Sequence, residues 1–187
     1  MEPARLDITL NQGAAWRKHL KIMQPVYEYK PIASVNKTAP LTLTVDHQLP
    51  LKHWPVWIES TNSSALNTDK TRERARMAHA TDAQTVELNS VNGNSINATG
   101  GFLVYQLPVD FEGSTASIIF SGPHADIEFL DLSIGLGFID IALTAEQVAS
   151  VASASRYQLW VQHPNGDKIQ WLCGGVSIND CKNNSAC

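Results

Sequence analysis

The three cysteines are the residues of this 187-residue sequence whose clustering points most directly to chemistry. Cys173, Cys181 and Cys187 all lie in the last stretch of the chain. No Cys-x-x-Cys pair and no His-x-His spacing accompanies them, which argues against a zinc site. Three alternatives stay open, namely inert thiols, one intrachain disulfide with a spare thiol, or a disulfide that links subunits.

Acidic residues near position 128 are the next candidates, because paired carboxylates can perform general acid–base catalysis. Strand alternation would place Asp126 and Glu128 on one face and Ile127 and Phe129 on the other, with Asp131 just beyond. We therefore interpret these acids as the solvated face of an amphipathic strand. The six histidines show no metal-ligand spacing, and no Gly-x-Ser-x-Gly or complete dinucleotide motif occurs. We expect a protein without enzymatic activity, cofactor or metal.

Tryptophans offer a third kind of site, since aromatic rings stack well on sugars. The candidates are Trp54, Trp57, Trp160 and Trp171. In short β modules tryptophan is more often part of the core, so we favour that interpretation. A glycan contact through Trp54 and Trp57, if they are exposed, is the alternative.

Charge and hydropathy exclude some partners. The formal net charge is −4 and the isoelectric point is near 5.8, which argues against binding to a phosphate backbone. The basic run over 70–76 contains Glu73 and is interpreted as a solvated loop. We expect neither a signal peptide nor a membrane span, and hence synthesis in the cytoplasm.

Short strands must position these side chains. Period-2 alternation and turn residues predict strands over 6–13, 15–22, 41–45, 54–59, 85–89, 102–107, 114–120, 127–132 and 137–143. Pro25 should end the pairing of the second strand. The polar stretch 60–69 is predicted as a loop, and 31–40 as a junction between two parts of the chain.

Two short segments predict their structure more specifically than the strand pattern does. The segment 144–147 matches a capping box, which predicts a helix of about two turns. The segments 157–162 and 168–173 alternate in register around 163–167, where Pro-Asn-Gly supplies the turn residues, so we predict a hairpin.

Several of these segments resemble a β-sandwich module found in many virion proteins of tailed bacteriophages. That module has a first strand ending in Gln-Gly, a Val-Asp-Leu-Thr-Gly-Tyr-Thr-Ala stretch, a Leu-Thr step into a short helix and a Tyr-x-Leu-x-Val hairpin. This chain has Gln12-Gly13, the stretch 109–116, the segment 137–147 and the hairpin 157–178. Phe111-Glu112 stands where the family has Leu-Thr.

The middle of the chain resembles a second module, the small β-barrel-like first catalytic cysteine half-domain of ubiquitin-activating enzymes. The matching residues are His47-Gln48-Leu49-Pro50, the segments 54–58 and 81–89, and Gly100-Gly101. Gln48 replaces a family glycine. The resemblance implies no ubiquitin chemistry, because no catalytic motif accompanies it.

Together the resemblances imply an all-β protein with a discontinuous, Ig-like β-sandwich, one short helix and an inserted small β module. The sandwich is expected over 1–38 and 108–180, the insert over 39–107 and a cysteine-containing tail over 181–187. The implied function is a structural subunit of a phage particle, in the neck, collar, tail, baseplate or capsid surface. Its expected partners are copies of itself and other virion proteins, with no nucleic acid and no membrane. A receptor- or glycan-binding module is the alternative.

Overall fold

The computed structural model describes residues 2–124 and 126–179. The fold is all-β, with several sheets, one of which curls into a half-barrel, and one short helix. In chain order the elements are β1 (Ala4–Arg5), β2 (Ile8–Asn11), β3 (Trp16–Lys21), β4 (Met23–Pro31), β5 (Ser34–Asn36), β6 (Leu41–Thr44), β7 (His53–Glu59), β8 (Arg76–Ala80), β9 (Thr85–Leu88), β10 (Phe102–Pro108), β11 (Thr115–Ser121), β12 (Asp126–Phe129), β13 (Ser133–Gly135), β14 (Phe138–Leu143), α1 (Ala145–Ser150), β15 (Arg156–Gln162) and β16 (Lys168–Asn179).

The chain divides into two compact units. Unit 1 comprises Met1–Ile22 and Asp110–Cys187, and unit 2 comprises Met23–Val109. Unit 1 contains a six-stranded sheet in the order β1-β16-β15-β11-β12, with β2 also paired to β16, and a three-stranded sheet in the order β13-β14-β3. Unit 1 therefore has a β-sandwich-like fold, and it is formed by two separate segments of the chain.

The core of unit 1 follows from strand alternation. Along β15, Tyr157, Leu159 and Val161 are buried while the residues between them are more accessible. Ile8 and Leu10 of β2 repeat this pattern. Each of these strands therefore buries one face, as a period of two requires.

The predicted hairpin is confirmed. Strands β15 and β16 pair antiparallel, with Gln162 opposite Lys168. The turn is closed by the His163 N–H, which donates to the Asp167 carbonyl at 2.8 Å, and Gly166 has a φ of 90°. That φ lies in the left-handed region that glycine enters without steric cost. A register shift after Leu159, which the alternation did not predict, marks a bulge.

The predicted helix is confirmed as well. The Thr144 hydroxyl accepts from the Gln147 N–H at 3.2 Å, and the Gln147 side chain accepts from the Thr144 N–H at 2.8 Å. Val148 is fully buried and Val151 nearly so. The helix is thus fixed by its cap and by one apolar face.

Unit 2 is built on a seven-stranded sheet in the order β4-β10-β7-β8-β9-β6-β5. Its apolar core lies on one face, where alternate residues such as Val56, Ile58, Leu103 and Tyr105 meet. The Tyr105 hydroxyl is satisfied because it accepts from the Gln48 N–H at 3.0 Å. Leu41, Leu43, Leu66, Val86 and Leu88, all fully buried, complete the centre of this cluster.

The first unit boundary differs from the expected one. Residues 23–38 were expected in the sandwich, but β4 pairs antiparallel with β10 and β5 pairs with β6, so both strands belong to unit 2. Pro25 does not end the pairing. It lies within β4 beside a register irregularity in the pairing with β10. Proline is tolerated there because β4 is an end strand, where its missing N–H breaks no ladder.

Within residues 2–124 and 126–179, the structure contains no helix with the length and hydropathy needed to cross a bilayer.

Candidate functional site

The cysteines are only partly described. Cys173 lies in β16, opposite Arg5 and Gln158 of the neighbouring strands, and is a half-buried free thiol. Cys181 and Cys187 lie outside the described residues. The intersubunit disulfide therefore stays a prediction.

Trp54 and Trp57 are buried, Trp54 in the core cluster of unit 2 and Trp57 on the opposite face of the sheet. Their exposed fractions are 3% and 9%. The Trp54 indole N–H donates to the Gln106 carbonyl at 2.8 Å, and that of Trp57 donates to the Glu73 carbonyl at 3.0 Å. Neither residue presents the free ring face that stacking on a sugar requires, so the exposure on which the predicted glycan contact depended is not met.

The acidic strand is arranged as the alternation indicated. Asp126 and Glu128 are exposed, while Ile127 and Phe129 are half-buried. Phe129 packs edge-on against Phe120 at a centroid distance of 6.0 Å. Within the described residues, no group of three or more His, Cys, Asp or Glu side chains is arranged to hold a metal ion.

One exposed aromatic surface was not predicted from the sequence. Val104 lies between Tyr29 of β4 and Trp57 of β7, so these three residues form a cross-strand row on the face opposite the core. Tyr29 is 47% exposed, and Phe102, two residues from Val104 on the same face, is 41% exposed. Val26, also in β4, is 65% exposed. Val26 and Tyr29 are three positions apart, so strand alternation does not place them on one face. We give the name β4 surface to the outer edge of β4 together with the exposed side chains of Val26, Tyr29 and Phe102 around it.

The β4 surface lies at an open sheet edge. Among the described residues, β4 pairs only with β10, although it is nine residues long. The outer edge of such a strand carries backbone N–H and C=O groups that can pair with another chain. Exposed apolar side chains and an open edge together are typical of a surface that contacts protein.

A charged cluster, formed by Lys70 and Glu59, lies beside Tyr29 of the β4 surface. Lys70 Nζ lies 2.9 Å from Glu59 Oε1 and 5.0 Å from the centre of the Tyr29 ring. It also lies 5.7 Å from the centre of the Tyr27 ring, within the range of cation–π attraction. Two hydrogen bonds raise the pKa of the Lys70 ammonium group, the larger effect coming from Tyr29 and the smaller from Glu59. Lys70 therefore keeps its charge.

The cluster fixes the loop that follows β7. Besides the Lys70 contacts, the loop is held by the Trp57 indole bond to the Glu73 carbonyl and by Asn67, whose Oδ1 accepts from the Thr61 N–H at 2.9 Å. The segment 70–76 was interpreted as a solvated loop, but the Lys70 side chain is only 22% exposed. Its neighbour Arg72, at 85%, matches that interpretation.

Unit 1 carries a groove of different character. It is lined by Thr115, Ala116, Ser117, Glu128, Leu130, Asp131, Gln162 and Lys168. Trp160 lies opposite Ser117, and Gln162 lies opposite Thr115, so strands β11 and β15 form its floor. Lys168 Nζ is 5.6 Å from the centre of the Trp160 ring and 3.9 Å from Glu128 Oε1. We call this the Lys168 groove.

A signal for the β4 surface was present in the sequence. Tyr27-Glu28-Tyr29 alternates aromatic and charged residues directly after Pro25. The expectation that pairing ends at Pro25 concealed it. The contact with Lys70 depends on the folded sheet and has no local signal.

Comparison with models of known protein families found no match, and comparison with curated protein sequences found none either.

Proposed function

We propose that this chain is a structural subunit of a tailed bacteriophage particle and that it acts through protein–protein contacts. The setting is supported by the two module resemblances of its sequence. The mode of action is supported by the β4 surface. The observation that carries it is the outer edge of the nine-residue strand β4, which no strand of the described residues covers, with Val26 exposed beside it.

The physical reason is the chemistry of a sheet edge. A second copy of the chain that adds a strand along β4 pairs with the outward backbone groups of that strand, and its side chains lie beside those of Val26 and Tyr29. The Tyr29 ring supplies a large part of the contact area, as aromatic residues do at protein interfaces. Because Lys70 and Glu59 neutralise each other beside Tyr29, the rim of the surface presents a paired charge.

Pro25 and Pro31 restrict how a second strand can join. Both lie within β4, and neither can donate a backbone hydrogen bond. Between them, residues 26–30 retain their N–H groups, so a partner strand is expected to pair over this short stretch. Such a limited edge suits addition of one defined partner and opposes uncontrolled growth of the sheet.

A covalent link through the cysteines belongs to the same proposal. Intact particles run on a non-reducing gel should give a band above the monomer, which collapses on reduction. A monomeric band alone contradicts the link while leaving the noncovalent contacts of β4 in place.

The particle setting is tested by peptide mass spectrometry of purified particles from a phage that encodes this chain. We expect peptides of the chain in particles that have passed through a density gradient, at a stoichiometry of several copies. Recovery of the chain only from the soluble lysate of infected cells would contradict the setting.

A further inference from the structure

The direction of the backbone groups along β4 can be read from its pairing with β10. The Ile32 N–H donates to the Gly101 carbonyl at 3.0 Å, so the backbone groups of Ile32 point toward the β10 side. Consecutive residues of an antiparallel strand point their N–H and C=O groups to alternate sides. The pairing with β10 is regular over residues 27–31 of β4. Residues 28 and 30 therefore point toward β10, and residues 27, 29 and 31 point outward.

Two residues provide the donors of this outer edge. Tyr27 and Tyr29 each present an outward N–H and an outward C=O. Pro31, the next outward position, has no N–H, and Pro25 on the other side of the tyrosines has none either. A strand that pairs with β4 therefore finds two complete sets of backbone groups, bounded by a proline at each end.

This pattern is complementary to itself when it is reversed. An antiparallel pair of residues that both point toward each other exchanges two hydrogen bonds. If Tyr27 lies opposite Tyr29 of a second copy, then Tyr29 lies opposite Tyr27 of that copy, and both pairs exchange bonds. A shift of two residues in either direction places a tyrosine opposite a proline and leaves one such pair. One register thus uses the outward groups of both tyrosines in both copies.

We propose that two copies of this chain pair their β4 strands antiparallel about a two-fold axis, with Tyr27 opposite Tyr29 of the second copy and Glu28 opposite itself. The inference rests on the proposed assembly through β4, and it adds the register and the symmetry of that contact.

The aromatic side chains lie together on one face of the paired strands. Tyr27 and Tyr29 are two positions apart, so both point to the face of the sheet opposite the core. The register brings each ring beside a tyrosine ring of the second copy, and aromatic cross-strand pairs stabilise antiparallel sheets. Lys70 Nζ lies 5.7 Å from the centre of the Tyr27 ring and 5.0 Å from that of Tyr29, which already orders both rings in one copy.

The charges on the other face are complementary at the same register. Lys30 Nζ lies 3.5 Å from Glu28 Oε2 within one copy. Across the axis the two Glu28 side chains are opposite each other, which is unfavourable by itself. Each of them is also diagonal to Lys30 of the second copy, because Lys30 of that copy lies opposite Val26. Two carboxylates and two ammonium groups therefore alternate around the axis, and their charges sum to zero.

The symmetry limits the size of the assembly. A two-fold contact uses the same surface on both copies, so both β4 edges are covered once two copies have met. We expect a dimer formed through β4 and no larger species formed through this contact.

The test is disulfide cross-linking of the full chain, in a background that carries Cys173→Ser, Cys181→Ser and Cys187→Ser. Residues opposite each other without mutual hydrogen bonds have Cα atoms about 4.5 Å apart, which a disulfide can span. Glu28→Cys should therefore form a dimer band under mild oxidation, and the band should disappear on reduction.

Lys30→Cys is the matched control, because it changes a charged residue on the same face of the same strand. At the proposed register, position 30 lies four residues from its counterpart, about 13 Å, and should cross-link at least about tenfold less. Circular dichroism shows whether each variant is folded. Tyr27→Cys and Tyr29→Cys complete the series, since each cross-links to itself only at a register shifted by two residues.

Sedimentation velocity of the reduced variants separates this inference from the proposed function on which it rests. Association of reduced Glu28→Cys together with its cross-linking is the predicted result. Association without that cross-link, or a stronger cross-link at position 27, 29 or 30, would overturn the register and leave assembly through β4 in place. Absence of association in the wild type would overturn both.

Discussion

The Tyr157 hydroxyl donates to the Leu6 carbonyl at 2.7 Å, which joins residues 151 positions apart in the sequence. Leu6 lies between β1 and β2, and Tyr157 lies in β15. The bond thus ties the N-terminal segment of unit 1 to its C-terminal segment. The Leu6 N–H strengthens the connection by donating to the Cys173 carbonyl at 3.0 Å.

Tyr157→Phe should lower the free energy of unfolding by about 1 kcal/mol, because the Leu6 carbonyl loses its hydroxyl partner. The same substitution should make the free energy of unfolding less sensitive to alkaline pH. Burial raises the pKa of Tyr157 from 10.0 to about 12, so the unfolded chain loses this proton first, and stability should fall as pH rises from about 10 to about 12. Urea titrations at a series of pH values measure both effects.

The exposed Tyr29 supplies the control for that pH series. Tyr29→Phe should leave the alkaline slope contributed by Tyr157 intact. An unchanged slope in Tyr157→Phe would show that the buried hydroxyl does not contribute to it.

Gly174→Ala should prevent the close approach of the N-terminal segment to β16. A Cβ at this position would lie 2.0 Å from the Leu6 carbonyl oxygen, which is backbone and cannot rotate away. We expect a loss of stability of several kcal/mol, on the order of the largest single-residue effects, measured by chemical denaturation.

The adjacent Gly175 is the matched control for Gly174. A Cβ there would make an ordinary contact of 3.4 Å with Asp7 Oδ1, so Gly175→Ala should cost much less. Equal stability of the two variants would contradict the described packing of residue 6 on β16.

Thr144→Ala should destabilise unit 1 by about 1 kcal/mol, because the Gln147 N–H loses its side-chain acceptor at the helix start. Thr144→Ser keeps a hydroxyl and should be near wild type. Thermal unfolding compares the pair, and equal melting temperatures for the two variants would argue against the capping contact.

His47 should make unit 2 sensitive to acid. Burial lowers the pKa of His47 from 6.5, against smaller opposing effects that include the Thr85 carbonyl and the Asp82 carboxylate. In acid the unfolded chain therefore takes up this proton more readily than the folded one. Stability should begin to fall below about pH 6.5 and continue down to the lowered pKa.

His47→Gln should flatten that part of the pH profile, measured by urea titration between neutral and mildly acidic pH. The exposed His124 offers a control, since His124→Gln should leave the profile as in the wild type. A profile that His47→Gln does not change would exclude His47 as its source.

The helix and the β15–β16 hairpin could be predicted from the sequence, because contacts between residues close together in the sequence determine them. Thr144 and Gln147 satisfy each other within one turn, and the β15–β16 hairpin closes over five residues. Long-range pairing determined the rest. A proline ends a strand only where the ladder requires a backbone N–H at that position. Pro25 lies in β4, an end strand whose partner β10 lies about eighty residues away in the sequence.

The candidate sites could likewise be predicted only where local sequence determines them. Trp54 and Trp57 were identified as aromatic, but their burial results from long-range packing. The carbonyls of Gln106 and Glu73, which accept from their indole N–H groups, come from other segments of the chain. The meeting of Lys70 with Tyr29 and Glu59 likewise joins three separate segments. Spacing within one segment carries no information about such contacts.

The central claim is that copies of this chain associate with one another through β4, and sedimentation velocity of the full chain over a range of concentrations tests it most directly. Wild type should show concentration-dependent association, and Val26→Lys should abolish it by placing a charge at the edge. Leu51→Lys is the matched control, because Leu51 and Val26 are each 65% exposed and Leu51 lies outside the β4 surface. Association retained by Leu51→Lys and lost in Val26→Lys is the predicted result. A wild type that stays monomeric at every concentration, or a Val26→Lys variant that associates like the wild type, would contradict the claim.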